Sequence, residues 1–162
     1  MALGCIVWVT GPDAEACGGV ARAIVNRLEQ RHVGAELIDP TTTGLTAVGP
    51  SAMEHAAAFA GATLARHGVT AVIVVPSPCR ATRDGLRQEL SPLIEVYVPG
   101  PAAAGYEPPD RPEVEADEPA ATATRTLRTL EVLGHLAPGA DAAYSAEEER
   151  QVIRRLKSFG YL

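Results

Sequence analysis

The sequence predicts a doubly wound α/β domain, a parallel sheet with helices on both faces. Residues 5–10 (CIVWVT) form an apolar, β-rich run that passes through a glycine-bounded turn, Gly11 to Gly19, into a helical pattern. Residues 69–75 (VTAVIVV) are an unbroken and mostly β-branched run, as expected of a strand covered on both faces. The patterns then alternate β-α-β-α-β-α-β, and parallel strands joined this way need right-handed crossovers. Ligands in such sheets bind beyond the carboxyl ends of the strands. The loops after Thr10, Asp39, Val75 and Val98 therefore belong to the functional edge.

Taken in order, Val20, Ala21, Ile24, Val25 and Leu28 give residues 18–31 one apolar face, with Arg22, Arg27 and Glu29 opposite. Residues 35–39 (AELID) read as a short strand, followed by a loop at Thr41–Gly44. Ser51 with Glu54 has the spacing of a capping box and predicts an alanine-rich helix to about His67, stopped by Gly68. Residues 81–90 predict a short helix carrying Arg83, Asp84 and Arg87, and residues 93–98 (LIEVYV) the next strand. Residues 99–119 turn to Pro, Gly and acid, a loop with one weak edge strand at 113–116. Residues 122–136 predict another helix. Ser145 and Glu148 form a second capping box, and the helix they open has an acidic first turn, a basic last turn and a stripe of Val152, Ile153, Leu156 and Phe159. That stripe needs a partner, either its own domain or a second subunit, and reach across a Gly/Ala-rich connection at 139–143 favours the second subunit. Residues 1–144 are thus read as one α/β domain and 145–162 as a C-terminal amphipathic helix.

Composition sets further bounds. The chain has 162 residues, 46% apolar and only 4% aromatic, so the core is built from Ala, Val, Leu and Ile. A net charge of -6 argues against nucleic acid or an anionic membrane as partner. Lys157 is the only lysine. Cys5, Cys17 and Cys79 lack the spacing of a zinc site or a disulfide framework, and His32, His55, His67 and His135 show no metal spacing, so no metal is expected. The first ten residues have no basic leader region, and no apolar run reaches the roughly 18 residues of a membrane span. A soluble, cytoplasmic protein with reduced thiols is expected.

The opening strand, turn and helix have the frame of a phosphate-cradling P-loop, GxxxxGK[ST], without its chemistry. Gly11 aligns with the first glycine, but the last three places are Ala16, Cys17 and Gly18. The Lys that reaches the β/γ oxygens and the hydroxyl that holds Mg²⁺ are both missing. Asp13 and Glu15 put carboxylates where a triphosphate would lie. For Gly18 and Gly19 two readings stand. A helix N-terminus there captures an anion through bare N–H groups, or Asp13 or Glu15 folds back and caps those groups, which is preferred. No cofactor is expected, and at most weak binding of Mg·ATP.

With these features in place the sequence resembles the adenylylsulfate (APS) kinases, P-loop enzymes that phosphorylate the 3′-hydroxyl of APS. Val7-Trp8-Val9-Thr10-Gly11 is similar to the family's opening strand, and Leu37-Ile38-Asp39-Pro40-Thr41 to its Leu-Asp-Gly-Asp segment. Ser77-Pro78-Cys79-Arg80-Ala81-Thr82-Arg83 resembles Ser-Pro-Tyr-Arg-x-Asp-Arg, and Glu95-Val96-Tyr97-Val98 a Glu-Val-Tyr-Val strand. Glu54 stands at the Glu-Asn-Ile-Arg run, and Tyr106-Glu107-Pro108-Pro109 resembles Tyr-Glu-x-Pro. The resemblance runs from about residue 4 to residue 136 and implies a P-loop NTPase fold and a homodimer. The departures fall on function: Cys17 and Gly18 replace Lys and Ser/Thr, Thr41 replaces the second acid, His55, Ala57 and Ala58 follow Glu54, and seven residues stand where the family has a cationic lid.

The resemblance gives Asp39 a vestigial metal-holding or base role, against which stands a structural acid at a strand end. Ser77, Arg80 and Arg83 are candidates to hold a sulfate or phosphate; alternatively Arg83, Asp84 and Arg87 form a solvated helix face. Cys17, at a helix N-terminus, has a lowered pKa on one reading and pairs with Cys79 as a redox couple, while two unrelated buried thiols are the preferred reading. The function expected is that of a pseudoenzyme that has lost phosphoryl transfer and binds a partner protein or a sulfated or phosphorylated small ligand. The alternatives are a diverged nucleotide-dependent kinase or transferase of sulfate metabolism, and an interaction module acting through the C-terminal helix.

Overall fold

A computed structural model describes residues 4–40, 48–90, 92–139 and 145–162. Its elements run β1 (Ile6–Thr10), α1 (Ala14–Gln30), β2 (Ala35–Ile38), α2 (Pro50–Arg66), β3 (Thr70–Val74), α3 (Arg80–Glu89), β4 (Leu93–Tyr97), β5 (Val114–Glu115), α4 (Pro119–Val132) and α5 (Ala146–Ser158). The strands form one sheet in the order β2-β3-β1-β4-β5, every pairing parallel. The Thr41–Gly44 loop and most of the 139–143 connection lie outside the described residues.

The strand period of two sorts the core into two layers. Val7 and Val9 of β1, with Val72, Val74, Ile94 and Val96, face α1 and α4. Ile6 and Trp8, with Ala71 and Ile73, face α2 and α3. The domain is therefore the expected doubly wound parallel sheet with helices on both faces. Burial of β1 on both faces fixes it at the centre. The functional edge is where β1, β3 and β4 end side by side.

Several helix starts differ from the sequence reading. α1 begins at Ala14, four residues before Gly18, because Asp13 is its N-cap and accepts from the Ala16 N–H at 3.0 Å. α2 is capped by Gly49 and opens on Pro50 at N1, so Ser51 and Glu54 do not form a capping box. Glu54 instead turns inward and is buried. α4 starts at Pro119, where the Glu118 carboxylate accepts from Ala120 and Ala121 N–H, each at 3.0 Å.

α5 has the expected capping box, with Ser145 Oγ accepting from Glu148 N–H at 3.2 Å and Glu148 Oε2 from Ser145 N–H at 2.9 Å. Its apolar stripe docks on its own chain, which corrects the preference for a second subunit. Leu156 and Val152 are buried in the contact with α4. Arg155 Nε donates to Pro112 O at 2.8 Å, and Arg128 pairs with Glu149. Ile153 and Phe159, the other two stripe residues, are half-buried. Leu156→Ala is expected to lower unfolding free energy in urea by about 2–5 kcal/mol, whereas a loss under about 0.5 kcal/mol would place the helix off the domain.

Candidate functional site

The turn after β1 decides what the edge can hold. Gly11 is required there, since a Cβ would lie 2.4 Å from Val98 O and 2.9 Å from Cys17 Sγ. Only two residues, Pro12 and Asp13, separate β1's end from α1 apart from that glycine. The stretch 14–19 that would cradle phosphate is helical. Cys17 N–H donates to Asp13 O at 3.0 Å, and Asp13 Oδ1 holds Ala16 N–H. Gly18 and Gly19 sit inside the helix rather than at its mouth, so the anion-capture geometry read for them is absent. Glu15 lies exposed in the first turn, where its charge suits the dipole.

The second cationic corner is built from α3 and the segment around Tyr106. Cys79, the N-cap of α3, makes no side-chain cap. Glu107 supplies one from 27 residues further on, its Oε2 accepting from Arg80 N–H at 2.8 Å, while its own N–H donates to Pro78 O at 2.9 Å. The Arg80 side chain pairs with Asp110 and remains 41% exposed. Arg83 is buried, with Nε donating to Glu95 Oε1 at 3.0 Å and its two terminal nitrogens to the carbonyls of Ser77 and Glu107. The helix face carrying Arg83 and Arg87 is thus not a solvated one, and Arg83 meets protein acceptors from all three nitrogens.

Sequence reasoning missed the network behind Arg83. Glu95 lies opposite Trp8 in the sheet and accepts from Arg83 and, through Oε2 at 2.9 Å, from Arg87. Arg87 also pairs with Glu113, whose Oε2 accepts Glu95 N–H at 2.6 Å, and Tyr161 OH reaches Glu113 and Arg87. Burial pushes the Glu95 carboxyl up even against the pull of Arg87 and Arg83. Burial beside Glu113 pushes Tyr161 up to about 12. One signal was present, a lone Glu inside an apolar strand with two Arg one turn apart on the preceding helix.

Between these corners, beyond β1, β2 and β3, lies a cavity of about 530 Å³. Pro12, Cys17, Asp39, Met53, Ser77 and Tyr106 contribute to its wall. No Lys or Arg does, among the described residues. Asp39 and Ser77 thus share one cavity with the remnant turn, while Arg80 and Arg83 stand outside its wall. Ser77 Oγ donates to Glu54 Oε1, and Tyr106 OH shares a hydrogen bond of 3.0 Å with Thr10 Oγ1. Among the described residues no group of His, Cys, Asp or Glu could hold a metal ion.

Cys17 is 3% exposed, and burial, reinforced by Asp13, pushes its thiol up to about 11. The lowered pKa expected of a helix N-terminus is thus overturned, because Cys17 faces inward a full turn along the helix. Cys5 is likewise raised to about 11 by burial, and Cys79 is exposed. Iodoacetamide at pH 8 is expected to label Cys79 and spare Cys5 and Cys17 until the chain is unfolded, as peptide mass spectrometry would show. Because the folded state holds the Cys17 proton more tightly, the stability linked to it is present below pH 9.0 and is lost as pH rises through about 11. Cys17→Ser should remove that part of the alkaline decline in melting temperature.

No protein-family model matches the chain. In sequence it is 23% identical over 193 aligned residues to a probable adenylyl-sulfate kinase of Pyrococcus abyssi, covering 98% of each. It is 26% identical over 171 residues to the adenylyl-sulfate kinase of Gloeothece citriformis, covering 82% of this chain and 97% of that one. The first of these alignments reaches past residue 136, so the similarity is not confined to the α/β domain. In structure the chain matches the Mycobacterium tuberculosis APS kinase solved with AMPPNP and APS at a TM-score of 0.70 and 16% identity, covering 81% of this chain and 99% of that one. It matches a hexameric APS kinase from Thiobacillus denitrificans at a TM-score of 0.65 and 21% identity, covering 83% of this chain but only 30% of that one. Among the described residues no helix is long and apolar enough to cross a membrane. The chain is therefore similar in sequence to adenylyl-sulfate kinases along most of its length and has their fold.

Proposed function

We propose that this chain is an APS-kinase-like pseudoenzyme: it keeps the fold, does not transfer phosphoryl groups, and acts by binding. The observation that carries this reading is the helical state of residues 14–19 under the Asp13 cap. Phosphoryl transfer works almost wholly by positioning and by neutralising charge. Here the backbone donors for a phosphate are directed to carbonyls and to Asp13, the Lys and hydroxyl places hold a buried thiol and Gly18, and the segment after Val98 carries no cation before Arg111.

The second cationic corner supports the same reading. Glu107 takes the N-terminus of α3, Asp110 takes Arg80, and Glu95 with two carbonyls takes Arg83. The N-terminus of α3 and Arg83 are thus filled by acceptors of the chain itself, while Arg80 stays partly exposed beside Asp110. The ligand of the cavity is thus better sought outside the sulfated and phosphorylated class.

Loss of a Lys contact and a hydroxyl, with two carboxylates gained, each worth roughly 1–3 kcal/mol at a charged contact, moves Mg·ATP beyond the millimolar range. Calorimetry is expected to show no saturable heat, and a low-micromolar dissociation constant would refute the proposal. Cys17→Lys combined with Gly18→Ser is expected not to restore APS-dependent ADP release, because the helix would still occupy the cradle. Turnover clearly above background in that double variant would show that the side chains alone were lacking.

A further inference from the structure

If the chain is the binding domain proposed above, its ligand has to suit the cavity at the sheet edge, and this inference rests on that reading. Among the described lining residues, Ser77 and Asp39 offer acceptors to the cavity, while the Tyr106 hydroxyl is paired with Thr10 Oγ1. Ser77 is 5% exposed and gives its proton to Glu54, so its Oγ has only lone pairs left. Asp39 adds a carboxylate to the wall. Much of the remaining lining is apolar, including Met53, Val74 and the Tyr106 ring.

Glu54 gives the second, independent indication. It is 3% exposed, and Ser77 is its one hydrogen-bond partner among the described residues. The other buried carboxylates of this sheet face are compensated: Glu95 has Arg83 and Arg87, and Glu113 has Arg87 and Tyr161. A carboxylate held out of water by a single hydroxyl is short of positive charge. That partner, Ser77, stands in the cavity wall. What is missing is a donor carrying a cation.

We propose that this cavity binds a small organic cation, a primary ammonium on an apolar or aromatic body, with Ser77 Oγ and Asp39 accepting from the ammonium and Glu54 supplying the counter-charge through Ser77. A metal ion does not meet the same need, since no group of ligating side chains is assembled among the described residues. The 530 Å³ volume admits a body the size of a phenethyl group and larger.

The test is a titration of the full chain at pH 7, followed by amide NMR shifts, with three matched probes: phenethylammonium, 2-phenylethanol and 3-phenylpropanoate. The ammonium is expected to bind about tenfold more tightly than the alcohol, with no saturable shift from the carboxylate. Glu54→Gln is expected to weaken the ammonium about tenfold and leave the alcohol within about twofold. Should that variant fail to fold, Asp39→Asn carries the same comparison from the wall. Equal affinity for all three probes, preference for the carboxylate, or no ammonium shift at about 10 mM would each overturn the assignment. Mg·ATP binding is measured separately, so the cation site can fail while the pseudoenzyme reading stands.

Discussion

A backbone N–H or a guanidinium can satisfy only as many acceptors as it has donors, and this competition governs the whole functional edge. At the start of α1 the acceptor is Asp13, at the start of α3 it is Glu107, and around Arg83 it is Glu95 with two carbonyls. Each arrangement replaces a transient, exchangeable anion with one tethered to the chain. A tethered carboxylate pays little translational entropy to bind, so an external phosphate has to displace it at a disadvantage. The proposed loss of anion binding rests on this occupancy as well as on net charge.

The tethering has structural consequences away from the edge. Arg83 and Arg87 lie one turn apart on α3 and draw β4, the approach to β5 and the C-terminus to one point through Glu95, Glu113 and Tyr161. Removing one member would leave an uncompensated buried charge, typically about 3–5 kcal/mol. The network therefore holds the Tyr106–Glu113 stretch against the sheet, and Tyr106 from that stretch contributes to the cavity wall. α5, packed on α4 and joined to Pro112 through Arg155, holds the end of the same stretch. Arg83 also lies over the Tyr106 ring, 5.3 Å from its centroid, so the network and the cavity wall meet at that side chain.

Much of the fold was legible in the sequence because strand burial writes itself locally. The runs at 5–10, 69–75 and 93–98 are apolar whichever neighbour covers them, and the order of elements follows. Helix starts were less legible. Asp13 followed by Ala14, Glu15 and Ala16 is a cap before good helix formers, but the likeness to a P-loop drew the start to Gly18. Pro50 outweighed the Ser51/Glu54 spacing because its fixed φ suits the first helical position. The site was legible only in part. Asp39, Ser77 and Cys17 do meet at one cavity, yet the Glu54–Ser77 and Arg83–Glu95 contacts join residues 23 and 12 positions apart, and the Glu113 link to Arg87 spans 26. No local period encodes such pairings. The tail's stripe was legible as a buried face, while its partner, α4, was not.

The account turns on whether residues 14–19 are helix or cradle. Backbone Cα and carbonyl chemical shifts of the full chain in solution report this directly, residue by residue. Helical values continuous from Ala14 through Gly19, with slowed amide exchange at Cys17 and Gly18 that Mg·ATP leaves unchanged, are what the closed edge predicts. Loop-like shifts over 14–17 with helical values beginning only at Gly18 would contradict it, and would reopen the turn as a phosphate site.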